Sequence, residues 1–189
     1  MSAQVLSGKE VSAVVREEVK QRVAKLAEHG RSVGLATVLV GEDAASQVYV
    51  RGKHKAATGA GMLSFDRTLP PTASQDEVEN LIRELNADDD VDGMIVQLPL
   101  PDGLDGNRAV ETIDPDKDAD GLHPDSLGRL VLDRPGPRPA TPAGIMRVLK
   151  HYEIETSGKL AVVIGRSFLV GRPMSLLLSA KGVDATVVQ

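Results

Sequence analysis

A short apolar run constrains the fold of this chain more than any other stretch. Residues 34–41, GLATVLVG, contain no charged side chain, and such a run is typical of a strand that is buried on both faces of a sheet. Two further strands are predicted at residues 62–70 and 92–101, and helical patterns separate the three strands. The resulting β-α-β-α-β order predicts an α/β fold with a parallel sheet and right-handed crossovers.

Two of the predicted helices begin with the same sequence pattern, the capping box. Ser7 precedes Glu10 at the start of the first helix, and Ser74 precedes Glu77 at the start of a helix over residues 74–88. In this pattern the serine hydroxyl and the glutamate carboxylate each accept a backbone N–H of the first turn. The first helix also carries valines at helical spacing, so one of its faces is expected to lie against the core.

Composition and charge exclude several classes of protein. The chain has 189 residues, a formal net charge of −5 and no cysteine. The negative charge gives no reason to expect nucleic acid or a membrane surface as partner, and the lack of cysteine excludes disulfides and thiolate zinc sites. The four histidines show no metal-ligand spacing, so no metal is expected. The first residues lack the apolar stretch of a signal peptide, so a soluble cytoplasmic protein is expected.

The character of the sequence changes after residue 101. Residues 102–140 are rich in Pro, Gly and Asp, which predicts a long loop with one short helix, and such loops are usually functional or inter-domain. Regularity resumes at Thr141, a predicted N-cap, with Pro142 at the first helical position. Three elements are predicted beyond this helix: a buried strand over 159–165, a helix over 169–182 and a strand over 184–188. We therefore place a domain boundary near residue 140, with 1–140 as one domain and 141–189 as the first part of another.

The strand-to-helix turn that contains Gly165 is one candidate site. A glycine at the end of a strand lets the phosphates of a ligand approach the backbone and the N-terminus of the next helix. The match to the dinucleotide-binding pattern G-x-G-x-x-G is poor, because Ser167 and Val170 occupy the second and third glycine positions. A tight turn without a ligand is therefore an equal alternative. Arg166 favours a ligand, since paired guanidinium donors match the 2′-phosphate of NADP.

A second candidate site lies on the helix that follows the first strand. Helical spacing puts Ser46, Tyr49 and Lys53 on one face, next to the carboxyl end of a parallel strand, where open α/β sheets bind ligands. Gln97 has an amide that needs a partner inside an apolar strand, and it can hold a lysine amine without an ion pair. Asp120 precedes a glycine in a loop. The alternatives are a solvated lysine on a basic helix surface and an aspartate that only forms a turn.

Five sequence blocks occur here in the order in which one family has them. They are SQVYVRGKHKAATGAGM, DGMIVQLPLP, DPDKDADGLHPDSLGRL, RPATPAGI and VVIGRSFLVGRPMSLLL. That family, which the chain resembles over essentially its whole length, is the bifunctional methylenetetrahydrofolate dehydrogenase/cyclohydrolases. The resemblance implies two α/β domains that flank a cleft, an N-terminal catalytic domain with a parallel sheet and a Rossmann-like NADP-binding domain.

The resemblance also implies a role for each candidate residue. Lys53 would be the central acid/base residue, with Gln97 beside it. Tyr49 would pack against the folate and help to position that lysine. Ser46 and Asp120 would bind substrate, Asp120 at the pterin ring. The cofactor contacts would come from Gly165, Arg166 and Ser167, with Arg166 at the 2′-phosphate of NADP.

The activity implied by the resemblance has two steps of one-carbon metabolism, carried out by a homodimer. NADP-dependent oxidation of 5,10-methylenetetrahydrofolate gives 5,10-methenyltetrahydrofolate, and hydrolysis then gives 10-formyltetrahydrofolate. The residues leave open a dehydrogenase for another small substrate, a cyclohydrolase without dehydrogenase activity, and a non-catalytic folate-binding fragment. A full dinucleotide-binding domain needs on the order of 100 residues, more than residues 141–189 supply, so the chain is expected to be truncated at its C-terminus.

Overall fold

The computed structural model describes residues 3–189, which divide into two compact units. The first unit comprises residues 16–119, and the second comprises residues 120–189 together with the N-terminal segment as far as Val15. Each unit contains a parallel sheet and several helices. The prediction of an α/β fold with parallel sheets is therefore confirmed.

The sheet of the first unit has three parallel strands in the order β2-β1-β3. The elements are the larger part of α1 (Gly8–Glu28), β1 (Gly34–Val40), α2 (Ala44–Gly59), β2 (Leu63–Leu69), α3 (Gln75–Ala87), β3 (Gly93–Val96), α4 (Gly106–Thr112) and a 3₁₀ turn (Pro115–Lys117). Because β1 is the central strand, a neighbouring strand occupies each of its edges and helices cover its faces. This position explains the lack of charged side chains in GLATVLV.

The two faces of this sheet have different neighbours. Val38 and Val96 are buried in a core that they share with residues of α3 and α4. Side chains alternate along a strand, so Thr37 in β1 and Gln97, directly after β3, lie on the opposite face. Helix α2 packs against β1 and β2 and covers this second face. The fold therefore brings Gln97 to the side of the sheet that carries α2.

The third strand is shorter than the sequence predicts. A strand over residues 92–101 was expected, but β3 ends at Val96. Pro99 and Pro101 lack a backbone N–H and cannot donate to a sheet ladder. The prediction was therefore wrong beyond Val96, because two prolines outweigh the apolar character of the segment. The segment after β3 becomes an irregular loop that carries Gln97.

The second unit is built around a two-stranded parallel sheet, β4-β5. Its elements are the start of α1, α5 (Pro124–Val131), α6 (Ala140–His151), β4 (Leu160–Val162), α7 (Gly171–Ser179) and β5 (Thr186–Val188). Met174 and Leu178 of α7 and Ala185 are the buried centre of a small core. Partly buried side chains of α6 and of the two strands complete it: Met146, Leu149, Ala161, Val163 and Val187.

Three predictions for the second half of the chain need correction. Residues 102–140 contain α4, α5 and a 3₁₀ turn, which is more helix than the composition suggested, because short helices tolerate Pro and Asp in their first turn. Strand β4 is not buried on both faces: Leu160 is 67% exposed, since the core described above lies on the other face. Helix α6 begins at Ala140 with Pro139 at the N-cap and no side-chain cap, so the predicted cap at Thr141 was wrong.

The two capping boxes have different outcomes. Ser74 and Glu77 form both halves of the box at the start of α3. At the start of α1, the N–H of Glu10 donates to Ser7 Oγ at 3.3 Å, but the N–H of Ser7 donates to the hydroxyl of Tyr152 at 2.9 Å. A tyrosine directly after α6 thus replaces the reciprocal half of the second box, which the sequence pattern could not indicate.

Candidate active site

The N-terminus of α2 is held by a side chain that the sequence analysis did not single out. Asp43 is the N-cap of α2, and its carboxylate accepts the backbone N–H of Ser46 at 2.7 Å. This hydrogen bond, together with one from the Ser46 hydroxyl, lowers the pKa of the Asp43 carboxyl below its ordinary value. Ser46 is buried. The signal was present in the sequence, because an Asp directly before a helical pattern is a preferred N-cap.

Lys53 and Gln97 meet on the face of the sheet that α2 covers. The Nζ of Lys53 donates a hydrogen bond to Gln97 Oε1 at 3.1 Å. The amide nitrogen of Gln97 donates to the backbone carbonyl of Leu98 at 2.7 Å, which turns the amide oxygen toward the lysine. The acceptor of this hydrogen bond is a neutral amide oxygen. The predicted partnership between the two side chains is present in the structure.

Tyr49 lies one helical turn before Lys53, on the same face of α2. Its side chain is 65% exposed, which is unusual for an aromatic ring with an apolar body. The exposed ring offers a flat surface one helical turn from Lys53. Ser46, Tyr49, Lys53 and Gln97 therefore form one cluster within the first unit.

Asp120 belongs to the second unit, where it precedes a sharp turn. Its backbone carbonyl accepts the N–H of Ala140 at 3.2 Å. The next residue, Gly121, has φ of 69°, and a Cβ added there would collide with the backbone of Arg138. Only glycine fits this position without strain, so the turn holds the backbone of Asp120 in a defined place.

The turn between β4 and α7 has the geometry of a close backbone approach. Gly165 has φ of 117°, a conformation that glycine adopts readily. A Cβ on Gly171 would collide with the carbonyl of Gly165. The hydroxyl of Ser167 accepts the N–H of Val170 at 3.2 Å and that of Gly171 at 3.4 Å. Ser167 therefore occupies the second glycine position of the G-x-G-x-x-G pattern, and its side chain accepts hydrogen bonds from the backbone at the N-terminus of α7.

The residues at this turn are accessible to a ligand. Gly165, Arg166 and Ser167 are all exposed, at the N-terminus of a helix of nine residues. Exposed backbone N–H groups at a helix N-terminus attract phosphate groups. The turn is therefore open to a ligand, although its sequence departs from the usual glycine pattern.

The structure distributes the predicted site residues between the two units. Ser46, Tyr49, Lys53 and Gln97 belong to the first unit, and Asp120 and the Gly165 turn belong to the second. Within residues 3–189, no three His, Cys, Asp or Glu side chains are grouped so that they could hold a metal ion. Among the same residues, no helix has both the length and the apolar character that a membrane span requires.

Two known protein domains match this chain in sequence. Residues 6–120 match the catalytic domain of the tetrahydrofolate dehydrogenase/cyclohydrolases. Residues 139–189 match the NAD(P)-binding domain of the same enzymes. The two matches follow each other in the order that the sequence blocks indicated.

Curated relatives and solved structures agree with these matches. The bifunctional protein FolD of Maridesulfovibrio salexigens is 52% identical over 187 residues, and its counterpart in Nitratidesulfovibrio vulgaris is 51% identical. Each alignment covers 97% of this chain and 65% of the relative, so the chain spans about two thirds of the length of these relatives.

Two crystal structures superpose closely on the chain. FolD of Campylobacter jejuni is 43% identical with a TM-score of 0.95, covering 99% of this chain and 66% of that one. The FolD of Trypanosoma brucei in complex with NADP and an inhibitor is 36% identical with a TM-score of 0.94, covering 100% of this chain and 64% of that one. The chain therefore belongs to the tetrahydrofolate dehydrogenase/cyclohydrolase family.

Proposed function

We propose that this chain takes part in the NADP-dependent oxidation of 5,10-methylenetetrahydrofolate to 5,10-methenyltetrahydrofolate and in its hydrolysis to 10-formyltetrahydrofolate. The observation that carries this proposal is the hydrogen bond of 3.1 Å between Lys53 Nζ and Gln97 Oε1. A lysine held by a neutral acceptor beside an exposed tyrosine ring suits proton transfer to and from a flat, cationic substrate. Membership of the family supplies the class of substrate.

In the hydrolytic step, Lys53 is the acid/base residue. Water adds to the cationic carbon of methenyltetrahydrofolate, and the amine of Lys53 takes a proton from that water. The same proton can then go to the ring nitrogen that leaves as the C–N bond breaks, and the hydroxyl proton is released to solvent as the C=O of the formyl group forms. Gln97 keeps the amine in place through both transfers, because its oxygen accepts an N–H from either protonation state of lysine.

Tyr49, Ser46 and Asp120 are assigned to substrate binding. The exposed ring of Tyr49 packs against the folate and limits the freedom of Lys53. Asp120, whose backbone is held by the Gly121 turn, accepts hydrogen bonds from donor groups of the pterin ring. Ser46, which is buried near the N-terminus of α2, is assigned to substrate binding on the same helix face as Tyr49.

Gly165, Arg166 and Ser167 are assigned to NADP. These residues would hold the cofactor, which would supply the hydride acceptor for the methylene carbon of the substrate. Gly165 allows close approach of the backbone to the pyrophosphate, and Ser167 fixes the N–H groups of the helix start. Arg166 is exposed and is assigned to the 2′-phosphate, which NAD lacks.

We also propose a functional boundary near residue 140, a homodimeric assembly and a cytoplasmic location. The boundary is supported by the gap between the two family matches, which lies between residues 120 and 139. The dimer and the location are proposed from the family resemblance alone.

The direct test of the proposed function compares Lys53→Met with Lys55→Met. Lys55 is exposed on α2 and is a matched control. Each variant is incubated with methenyltetrahydrofolate, and separately with methylenetetrahydrofolate and NADP. Lys53→Met is expected to lower hydrolysis by about 10²- to 10⁴-fold, the usual contribution of a general acid or base. Equal rates for the two variants would contradict the assignment, and binding without turnover in the unsubstituted protein would favour a folate-binding module.

A further inference from the structure

Helix α2 carries Lys53, yet the side chains that it buries against the sheet are small. Its buried residues are Ser46, Val50 and Ala57. Detailed complementarity of packed side chains is what gives a core a single arrangement, and small side chains interlock weakly with a sheet. Apolar packing alone therefore leaves the rotation of α2 about its own axis poorly determined. Polar contacts at defined positions decide where Lys53 lies.

Two consecutive residues of α2 make contacts at the two strands that flank the central strand β1. Lys53 donates to Gln97, directly after β3. His54 Nδ1 lies 2.7 Å from Asp66 Oδ2 and 3.0 Å from Ser64 Oγ, both on β2. Strand β1 lies between β2 and β3, so polar contacts of the helix lie on both sides of the central strand. Successive residues of a helix point about 100° apart, which is why neighbours can reach different strands.

The Ser64, His54 and Asp66 side chains do not form a nucleophilic triad. In a triad, one ring nitrogen takes the proton of the serine and the other donates to the carboxylate. Here the serine and the carboxylate both contact the same nitrogen, Nδ1. With the proton on Nδ1, His54 donates to Ser64 Oγ, and the Ser64 hydroxyl donates to Asp66 Oδ1 at 3.4 Å, while Asp66 Oδ2 lies beside the same ring nitrogen. The cluster therefore acts as a contact between helix and strand.

This contact matters more for orientation than for global stability. The side chains of His54 and Asp66 are 47% and 36% exposed, and exposed ion pairs stabilise proteins weakly. Rotation of α2 in either direction, however, changes the His54 contact and the Lys53 contact together. We propose that His54 is a positioning residue, which through Asp66 holds α2 in the orientation in which Lys53 reaches Gln97. The importance of His54 for catalysis rests on the proposed function. Its effect on the position of Lys53 does not depend on that function.

The position of Lys53 can be measured without any enzymatic activity. Trace acetylation of the 189-residue chain with acetic anhydride, followed by mass spectrometry of peptides, gives the relative reactivity of Lys53 and Lys55. Lys55 is exposed two residues away and serves as the reference in the same molecule. In His54→Ala, loss of the Gln97 hydrogen bond is expected to raise the Lys53 to Lys55 ratio by about two- to tenfold, the range for one net hydrogen bond.

Two further variants separate the contact from general effects of substitution. The amide of asparagine lies where the Nδ1 of a histidine lies, whereas the amide of glutamine lies farther out, near Nε2. His54→Asn is expected to keep the ratio of the unsubstituted chain, and His54→Gln is expected to raise it as His54→Ala does. The comparison of His54→Asn with His54→Gln also tests whether His54 positions Lys53 if His54→Ala fails to fold. His29→Ala, which removes an exposed histidine that contacts only its own helix, should leave the ratio unchanged.

Three results would overturn the proposal. They are an unchanged ratio in His54→Ala, equal ratios in His54→Asn and His54→Gln, and an equally large change in His29→Ala. A kinetic readout adds the link to function: kcat for hydrolysis of methenyltetrahydrofolate should fall in His54→Gln and recover in His54→Asn, with KM little changed. If the unsubstituted protein shows no turnover, the proposed function fails while the acetylation ratios still decide whether His54 positions Lys53.

Discussion

Gly171 lies directly against the backbone carbonyl of Gly165, so closely that a Cβ on Gly171 would collide with it. Gly171→Ala must therefore displace the turn or the start of α7, and such overpacking costs about 1–3 kcal/mol of stability. Urea denaturation should show a lower midpoint for this variant. Gly144→Ala is the control, because Gly144 lies on α6 with nothing within 4 Å of an added Cβ. That variant should gain up to about 1 kcal/mol from helix propensity, and the same loss in both variants would contradict the close approach.

The assignment of Arg166 to the 2′-phosphate predicts that Arg166→Ala weakens the binding of NADP more than the binding of NAD. Arg166→Ala should weaken NADP binding by about tenfold to a hundredfold, because one charge-assisted hydrogen bond to the 2′-phosphate is lost. NAD binding should change little, since NAD has no phosphate there. Titration of the protein with each dinucleotide measures both affinities. Lys159→Ala, at a side chain that is 63% exposed in the same unit, controls for loss of surface charge, and parallel losses for NADP and NAD would show that Arg166 only supports the turn.

Lys117 connects the 3₁₀ turn to the C-terminus of α3. Its Nζ donates to the backbone carbonyls of Asn86 at 2.8 Å and Asp88 at 2.7 Å. These carbonyls have no intrahelical donor, and a cation also suits the negative end of the helix dipole. Lys117→Met should therefore lower the free energy of unfolding by about 2 kcal/mol. Lys25→Met, at an exposed lysine in the last turn of α1, should change it by less than about 0.5 kcal/mol, and similar losses would argue against the capping role.

The environment of the Glu79 carboxylate predicts that the stability of the chain depends on pH. Its carboxylate is 8% exposed and pairs with Arg83 and Arg108 at 2.9 and 2.8 Å. A hydrogen bond from Gln75, with smaller contributions from the two arginines, lowers the pKa of Glu79 below its ordinary value of 4.5. Because the folded-state pKa is the lower one, this contribution to stability is present above pH 4.5 and disappears as the pH falls through the folded-state pKa.

The corresponding experiment compares Glu79→Gln with the unsubstituted chain. The urea midpoints should differ clearly at neutral pH and converge as the pH is lowered through the folded-state pKa of Glu79, where the carboxylate becomes protonated. Glu84→Gln, at an exposed position on the same helix, should show a small difference at both pH values. A Glu79→Gln difference that does not depend on pH would show that the ion pairs contribute nothing.

Local pattern predicted the parts of the fold that depend on neighbours in sequence. The Ser74 and Glu77 box forms because both partners lie within one helical turn. The apolar run from Gly34 to Val40 becomes the central strand, because no other position in a sheet hides such a run so completely. Gln97 could be identified as a side chain in need of a partner, since an amide is costly inside an apolar strand.

Contacts between distant segments could not be predicted in the same way. Nothing in the sequence around Ser7 indicates that its N–H meets the Tyr152 hydroxyl, because the two residues are far apart in the chain. The contact between His54 and Asp66 depends on the parallel register of β2 beside β1, and a shift of one residue would send Asp66 to the other face. The exposure of Leu160 depends on which face the helices cover, and an apolar strand looks the same in either case.

The central place of β1 has a consequence for how the chain is made. On the ribosome, residues 34–40 emerge well before either neighbouring strand. The edge of β1 that pairs with β3 stays unpaired until residues 93–96 have been synthesised. At about 5–20 residues per second, this interval lasts roughly 3–10 s. During that time an apolar, charge-free segment with high β propensity has an unpaired edge. During synthesis GLATVLV is therefore a segment whose open edge can pair with another chain.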